Sequence, residues 1–228
     1  MRRAAGRIGV LLVGLLAVTA CGPPGPAAPD GAPTAPPRPL PDPLPAEPGS
    51  LEEAIAERRS VRDIVDRPLP EAQLGQLLWS AQGITGTRGR RAAPSAGATY
   101  PLEIYVATAA GLARYEVEAH ALLELSTDDR RDALAAAALG QEWLADAGAV
   151  IVLTGVVART AERYGDRAER YVLLEAGHAA QNVLLQATAL GLVGVPVGAF
   201  DDQRVQQVLG LPDDHEPLYL LPIGFPGG

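Results

Sequence analysis

One segment narrows the possible architectures more than any other. From Ala149 to Val157 the chain is apolar apart from Thr154 and Gly155. A run like that is expected at the centre of a sheet, covered on both faces. A second long feature, from about Glu169 to Leu190, reads as the longest helix, stopped by Gly191. Around these two, helices and strands mix without a strict βαβ rhythm, so the fold class is α+β. No internal repeat is visible.

The remaining elements follow from local signals. Ser50-Leu51-Glu52-Glu53 is a capping box, opening a helix with Leu51, Ala54, Ile55 and Arg58 on one side. Pro70 starts a second helix with Leu74, Leu77, Leu78 and Ala81 at helical spacing. Glu103 to Thr108 reads as a strand, and Arg114 to Val117 with Ala121 to Leu125 as a hairpin around Glu118-Ala119-His120. Asp128 to Leu139 reads as a helix capped by Ser126 or Thr127. Short strands are expected at Val193 to Val197 and Leu218 to Pro222, with a small helix from Asp202 to Leu209 between them.

The first 49 residues stand apart. Arg2, Arg3 and Arg7 precede an uncharged apolar run from Ile8 to Ala20, as in a secretory signal. The run ends in Val18-Thr19-Ala20-Cys21, which resembles the lipobox of bacterial lipoproteins. That likeness implies a signal peptide over 1–20, acylation of Cys21, and an exported protein anchored by lipid to the outer face of a membrane. Residues 21–49, crowded with proline and alanine, read as a semi-rigid tether. The folded part is then 50–228.

Charge and composition exclude several chemistries. Every basic residue is arginine, so no lysine is available for Schiff-base or general-base work. The net charge of −8 falls to −11 once the three signal arginines are removed, which argues against a nucleic-acid partner. One cysteine allows neither an internal disulfide nor a zinc cluster, and His120, His178 and His215 lack metal-ligand spacing.

Three clusters are candidates for chemistry. Arg58, Arg59, Ser60 and Arg62 could hold a phosphate through charge-assisted bonds, or could simply complement a helix C-terminus. Pro94, Ser95, Ala96 and Gly97 would let backbone approach a flat ligand, or form a plain turn. Pro196, Val197, Gly198 and Ala199 end a strand in a glycine turn. Taken singly, each has an ordinary structural explanation.

Taken in order and spacing, the three resemble the nitroreductase family. Leu78-Trp79-Ser80-Ala81-Gln82-Gly83, Gln141 to Ala147, Arg170-Tyr171 and Glu175 to Asn182 are similar to its SagB/ThcOx-type branch, which oxidises azolines in modified peptides. The resemblance implies a central mixed or antiparallel sheet flanked by helices, in an intertwined homodimer with FMN at the interface. It implies that Arg58, Arg59, Ser60 and Arg62 meet the phosphate and ribityl chain. Pro94 to Gly97 would lie beside the ring, and the backbone of Pro196 to Ala199 at its N5 and O4. The substrate would be a small molecule or a peptide, with the membrane reached only through the lipid anchor. One departure is that no arginine follows Arg204, where the family often places a further phosphate partner; Arg91 is offered as a substitute. The alternative function is a non-catalytic flavin- or ligand-binding lipoprotein on the same fold. His178 is expected to be a packed core histidine, and Glu175 a structural carboxylate.

Overall fold

The computed structural model describes residues 39–228. The expected signal peptide, Cys21 and the tether up to residue 38 lie outside the described residues. Residues 39–47 are exposed and without regular structure.

Helix α1 (Leu51–Glu57) begins at Ser50, whose Oγ accepts the Glu53 N–H at 3.0 Å. Glu53 answers by accepting the Gly49 N–H at 2.6 Å, one residue upstream of the usual capping-box partner. Of its apolar side chains only Ala54 is buried, so Leu51 and Ile55 stay exposed. Helix α2 (Glu71–Gln82) has Pro70 as its N-cap and buries Leu74, Leu77, Leu78 and Ala81. Its main neighbour is α5 (Ala168–Ala189), which Leu190 and a left-handed Gly191 (φ +69°) terminate as expected.

The sheet comprises β1 (Ile64–Val65), β2 (Leu102–Thr108), β3 (Gly111–Glu116), β4 (Ala121–Ser126), β5 (Ala149–Gly155), β6 (Val193–Gly194) and β7 (Glu216–Pro226). Its order is β1-β7-β5-β2-β3-β4, with β6 also on β7, and every strand pair is antiparallel. Strand β5 is buried along its whole length, as its composition requires. Its side chains alternate. Ala149, Ile151 and Leu153 enter the layer built with α2 and α5, whereas Val150 and Val152 enter the layer of α3 (Arg131–Ala137) and α6 (Asp202–Leu209). The result is a three-layer sandwich, an antiparallel sheet with helices on both faces.

Four expectations change. Helix α3 starts three residues late and has no hydroxyl cap; Asp129 Oδ1 instead accepts the Arg131 N–H at 3.0 Å. The chain turns from β5 into α4 (Val157–Tyr164), a helix the apolar run concealed because only Thr160 of it is buried. Strand β1 is two residues long and exists by pairing with the far end of β7, Ile64 with Pro226 and Val65 with Phe225. Strand β7 runs through Pro222 instead of stopping there. Leu220 exchanges both backbone hydrogen bonds with Val197 (2.8 and 3.0 Å). Two residues later the proline's missing N–H faces the same edge, at the gap between Gly194 and Val197 where no ladder partner stands.

Candidate functional site

The first and third clusters are brought together. Arg58 caps α1, and beyond it Ser60 forms a parallel bridge with Gly194 while the Val61 N–H donates to the Gly194 carbonyl at 3.2 Å. Arg59 Nη1 donates to the carbonyls of Ala56 and Arg58 at 2.7 and 2.8 Å, so for this residue the helix-end role is real. Arg62 lies with its guanidinium 5.6 Å from the Trp143 ring centroid. Among the described residues none of Arg58, Arg59 and Arg62 pairs with a carboxylate. Unpaired guanidinium groups beside a glycine-bearing backbone fit a phosphate ester.

From Gly194 the chain passes through buried Val195 and half-buried Pro196 to Val197, which is pinned to Leu220. Gly198 and Ala199 are exposed. Gly198 and Phe200 then line a cleft of about 380 Å³ with Val157, Val172, Leu173 and Leu218. That volume is within the range of small-molecule sites. Gly194 is the joint of this assembly, since a Cβ there would stand 2.8 Å from the Pro222 carbonyl oxygen and run into Ile223. Gly194→Ala is therefore expected to cost roughly 1–3 kcal/mol of stability, as overpacking does. It should also loosen the Ser60 bridge. Thermal unfolding together with a ligand titration checks both, and a variant of unchanged Tm contradicts the reading.

The second cluster sits elsewhere in the chain. Gly97 adopts φ +62°, and an added Cβ would lie 2.8 Å from Tyr164 Oη and 2.9 Å from Arg163 Cδ. Arg163 Nη1 donates to the Gly97 carbonyl at 3.4 Å. Thr99 is held by the Ala96 carbonyl (3.1 Å) and the Thr160 hydroxyl (2.9 Å). Ser95 Oγ accepts the Tyr100 N–H at 2.9 Å. Among the described residues no hydrogen bond or bridge joins Pro94–Gly97 to the other two clusters. The clusters are thus held, among the described residues, as two separately bonded parts.

Beneath the second cluster runs a buried polar network that the sequence did not reveal. Gln82 Nε2 donates to Glu175 Oε1 at 3.3 Å, and Arg91 Nη1 donates to Gln82 Oε1 at 3.2 Å. The Arg91 guanidinium lies 4.3 Å from the Tyr100 ring centroid. Arg91 is thus anchored in its own chain through one of its guanidinium nitrogens and through the Tyr100 ring. Burial pushes the Glu175 carboxyl up from 4.5 to about 6, and interactions with Ser95, Gln82 and the Arg91 charge limit the rise. Because the folded state holds this proton more tightly than the unfolded chain, the associated stability is complete below pH 4.5 and is lost as pH rises through about 6. Relative to Glu175→Gln, the wild type should lose roughly 2 kcal/mol between pH 4.5 and 8, measurable by chemical denaturation at each pH.

The outer face of α5 differs from expectation. His178 is exposed, not packed in the core, because it lies on the opposite side of the helix from Val172, Ala176 and Ala179. Leu173 and Leu174 beside it are 51% and 50% exposed. Leu51 and Ile55 of α1, at 60% and 57%, are likewise uncovered. An apolar helix face left open in this way marks an interaction surface.

Comparison with known proteins agrees with this architecture. The family model described as "Nitroreductase family" matches residues 55–225. A protein of Methanocaldococcus jannaschii, provisionally named nitroreductase MJ1384, is 42% identical over 180 residues, spanning 76% of this chain and 90% of its own length. The crystal structure of a provisionally assigned nitroreductase from Ralstonia eutropha JMP134 superposes with a TM-score of 0.72 at 29% identity, covering 83% of this chain and 89% of that one. The Escherichia coli microcin synthetase McbBCD complex, with truncated pro-MccB17 bound, shares the fold at a TM-score of 0.65 and 22% identity, over 77% of this chain and 73% of that one. This chain belongs to the nitroreductase family and is an oxidoreductase of the FMN-dependent type.

Proposed function

We propose that the protein binds FMN at the seam of a homodimer and uses it to oxidise or reduce a small molecule or peptide. The observation that carries this is the division of the site. Ser60 and Val61 strap the arginine cluster to Gly194 and so to Pro196–Ala199, while among the described residues no hydrogen bond or bridge joins Pro94–Gly97 to either. Two copies joined along the exposed α5 face would bring one part from each subunit together. In that arrangement Arg58, Arg59, Ser60 and Arg62 grip the phosphate and ribityl chain. Pro94, Ser95, Ala96 and Gly97 pack beside the ring, and the backbone of Pro196, Val197, Gly198 and Ala199 meets its polar edge. When bound, FMN supplies the electron-transfer chemistry. The chain's own part is to bind, orient and keep water from one face; no side-chain acid or base is assigned. We further read the protein as an exported, lipid-anchored member of the azoline-oxidising branch. That reading rests on Val18 to Cys21 and on the motifs around Trp79, Tyr171 and His178.

Anaerobic mixing of the flavin-loaded protein with NADH, NADPH and azoline-containing peptides tests the function. Bleaching of the flavin band by peptide, with reoxidation by oxygen or a quinone, is expected for an exported enzyme without a cytoplasmic nicotinamide pool. Bleaching by NAD(P)H alone would contradict the peptide-oxidising assignment, and no bleaching by any reductant would favour the non-catalytic alternative.

A further inference from the structure

One feature not used by the site is the buried network between α2, α5 and the loop leading to β2. Glu175 is 2% exposed and Gln82 0%, and the Arg91 Nε above them is buried without a partner. A carboxylate on the inner face of an otherwise alanine- and leucine-rich helix is a costly way to fill space, since an apolar side chain would pack there at no desolvation cost. Its placement explains what it gains. Gln82 is the last residue of α2, Arg91 and Ser95 bracket the loop, and Glu175 reaches Arg91 through Gln82, with the Ser95 hydroxyl also acting on its carboxyl. Ser95 in turn fixes the Tyr100 backbone, and Arg91 stacks on the Tyr100 ring. These contacts meet at Tyr100, whose N–H is held by Ser95 of the Pro94–Gly97 segment. Beside Glu175 on α5, Leu174 and His178 are exposed.

We propose that Glu175 is a positioning residue that acts through Gln82 and Arg91, and so through Tyr100, to set the Pro94–Gly97 segment against the cofactor. The inference rests on the FMN reading above and deepens it. Arg91 is the one charged group facing the Glu175 carboxyl from the packed elements; Gln82 and Ser95 are its neutral neighbours. Ionisation of Glu175 changes its hold on Gln82 and, through it, on Arg91, so FMN affinity and the flavin midpoint potential should both show a step near pH 6.

The test measures FMN affinity by fluorescence quenching and midpoint potential by dye equilibration, between pH 5 and 8, for wild type, Glu175→Gln and Ser95→Ala. Glu175→Gln is expected to abolish the step in both quantities while remaining folded. Ser95→Ala, which removes an interaction that favours the ionised carboxyl, is expected to move the step upward by about half a unit and weaken FMN about tenfold. A wild type that binds FMN with a flat profile, or a step that survives in Glu175→Gln, overturns the inference and leaves the FMN reading standing. Should Glu175→Gln fail to fold, an unmoved step in Ser95→Ala overturns it equally. A wild type that takes up no FMN at any pH sinks the FMN reading first and the inference with it.

Discussion

Replacing both Arg58 and Arg62 with alanine is expected to weaken FMN binding by about 10²–10³-fold without unfolding the protein. A hydrogen bond to a charged group contributes about 1.5–3 kcal/mol, and at the low end of that range, which suits the exposed Arg62 and part-exposed Arg58, losing two guanidinium contacts to a phosphate removes roughly 3–4 kcal/mol. Stability should barely change, because neither side chain pairs with a carboxylate among the described residues and Arg62 is exposed. Arg59→Ala is the informative contrast. Its guanidinium also caps the α1 carbonyls, so its loss should lower Tm as well as affinity. Isothermal titration and thermal unfolding of the same samples separate the two effects. An undiminished affinity in the double variant would show that the phosphate is held elsewhere.

The second large effect is expected at the outer face of α5. Leu173 and Leu174 are half exposed in the single chain, and Leu51 and Ile55 of α1 are likewise uncovered. Burying such a face between subunits is favourable by about 25 cal/mol per Å², and placing an arginine in it leaves an unpaired buried charge that costs several kcal/mol. Leu174→Arg should therefore convert a dimer into a folded monomer. If each subunit supplies one part of the cofactor site, the same variant should lose FMN by more than about 100-fold, although residue 174 belongs to neither the arginine cluster nor the glycine turn. Light scattering with a flavin titration checks both. A variant that is monomeric and still binds FMN tightly would mean that a single chain closes the site.

Much of the fold was legible because its signals are local. The Ser50 cap, the hairpin around His120, the apolar β5 and the Gly191 stop of α5 each depend on residues within a turn or two of one another. What escaped depends on distant partners. Strand β1 is defined only by Phe225 and Pro226, and the path of β7 through Pro222 only by where β6 leaves the ladder. Helix α4 escaped for a different reason: it follows β5 with no turn residue between, and most of its surface is solvated. The site divides in the same way. Its three clusters could be found by motif and order, and the Ser60–Gly194 strap then joined two of them. The Gln82–Glu175 pair spans 93 positions, and no periodicity marks it. His178 was misread because a helix this apolar shows no clear polar stripe; its outward side carries Leu173 and Leu174 as well.

The central claim is that two copies of this chain enclose FMN between them. A titration of the purified full-length protein with FMN, followed by fluorescence with molar mass measured in parallel, tests it most directly. The expected result is quenching that saturates at one FMN per subunit, in a species of twice the monomer mass. A well-folded protein that stays colourless and leaves FMN fluorescence unchanged at every ratio would contradict it.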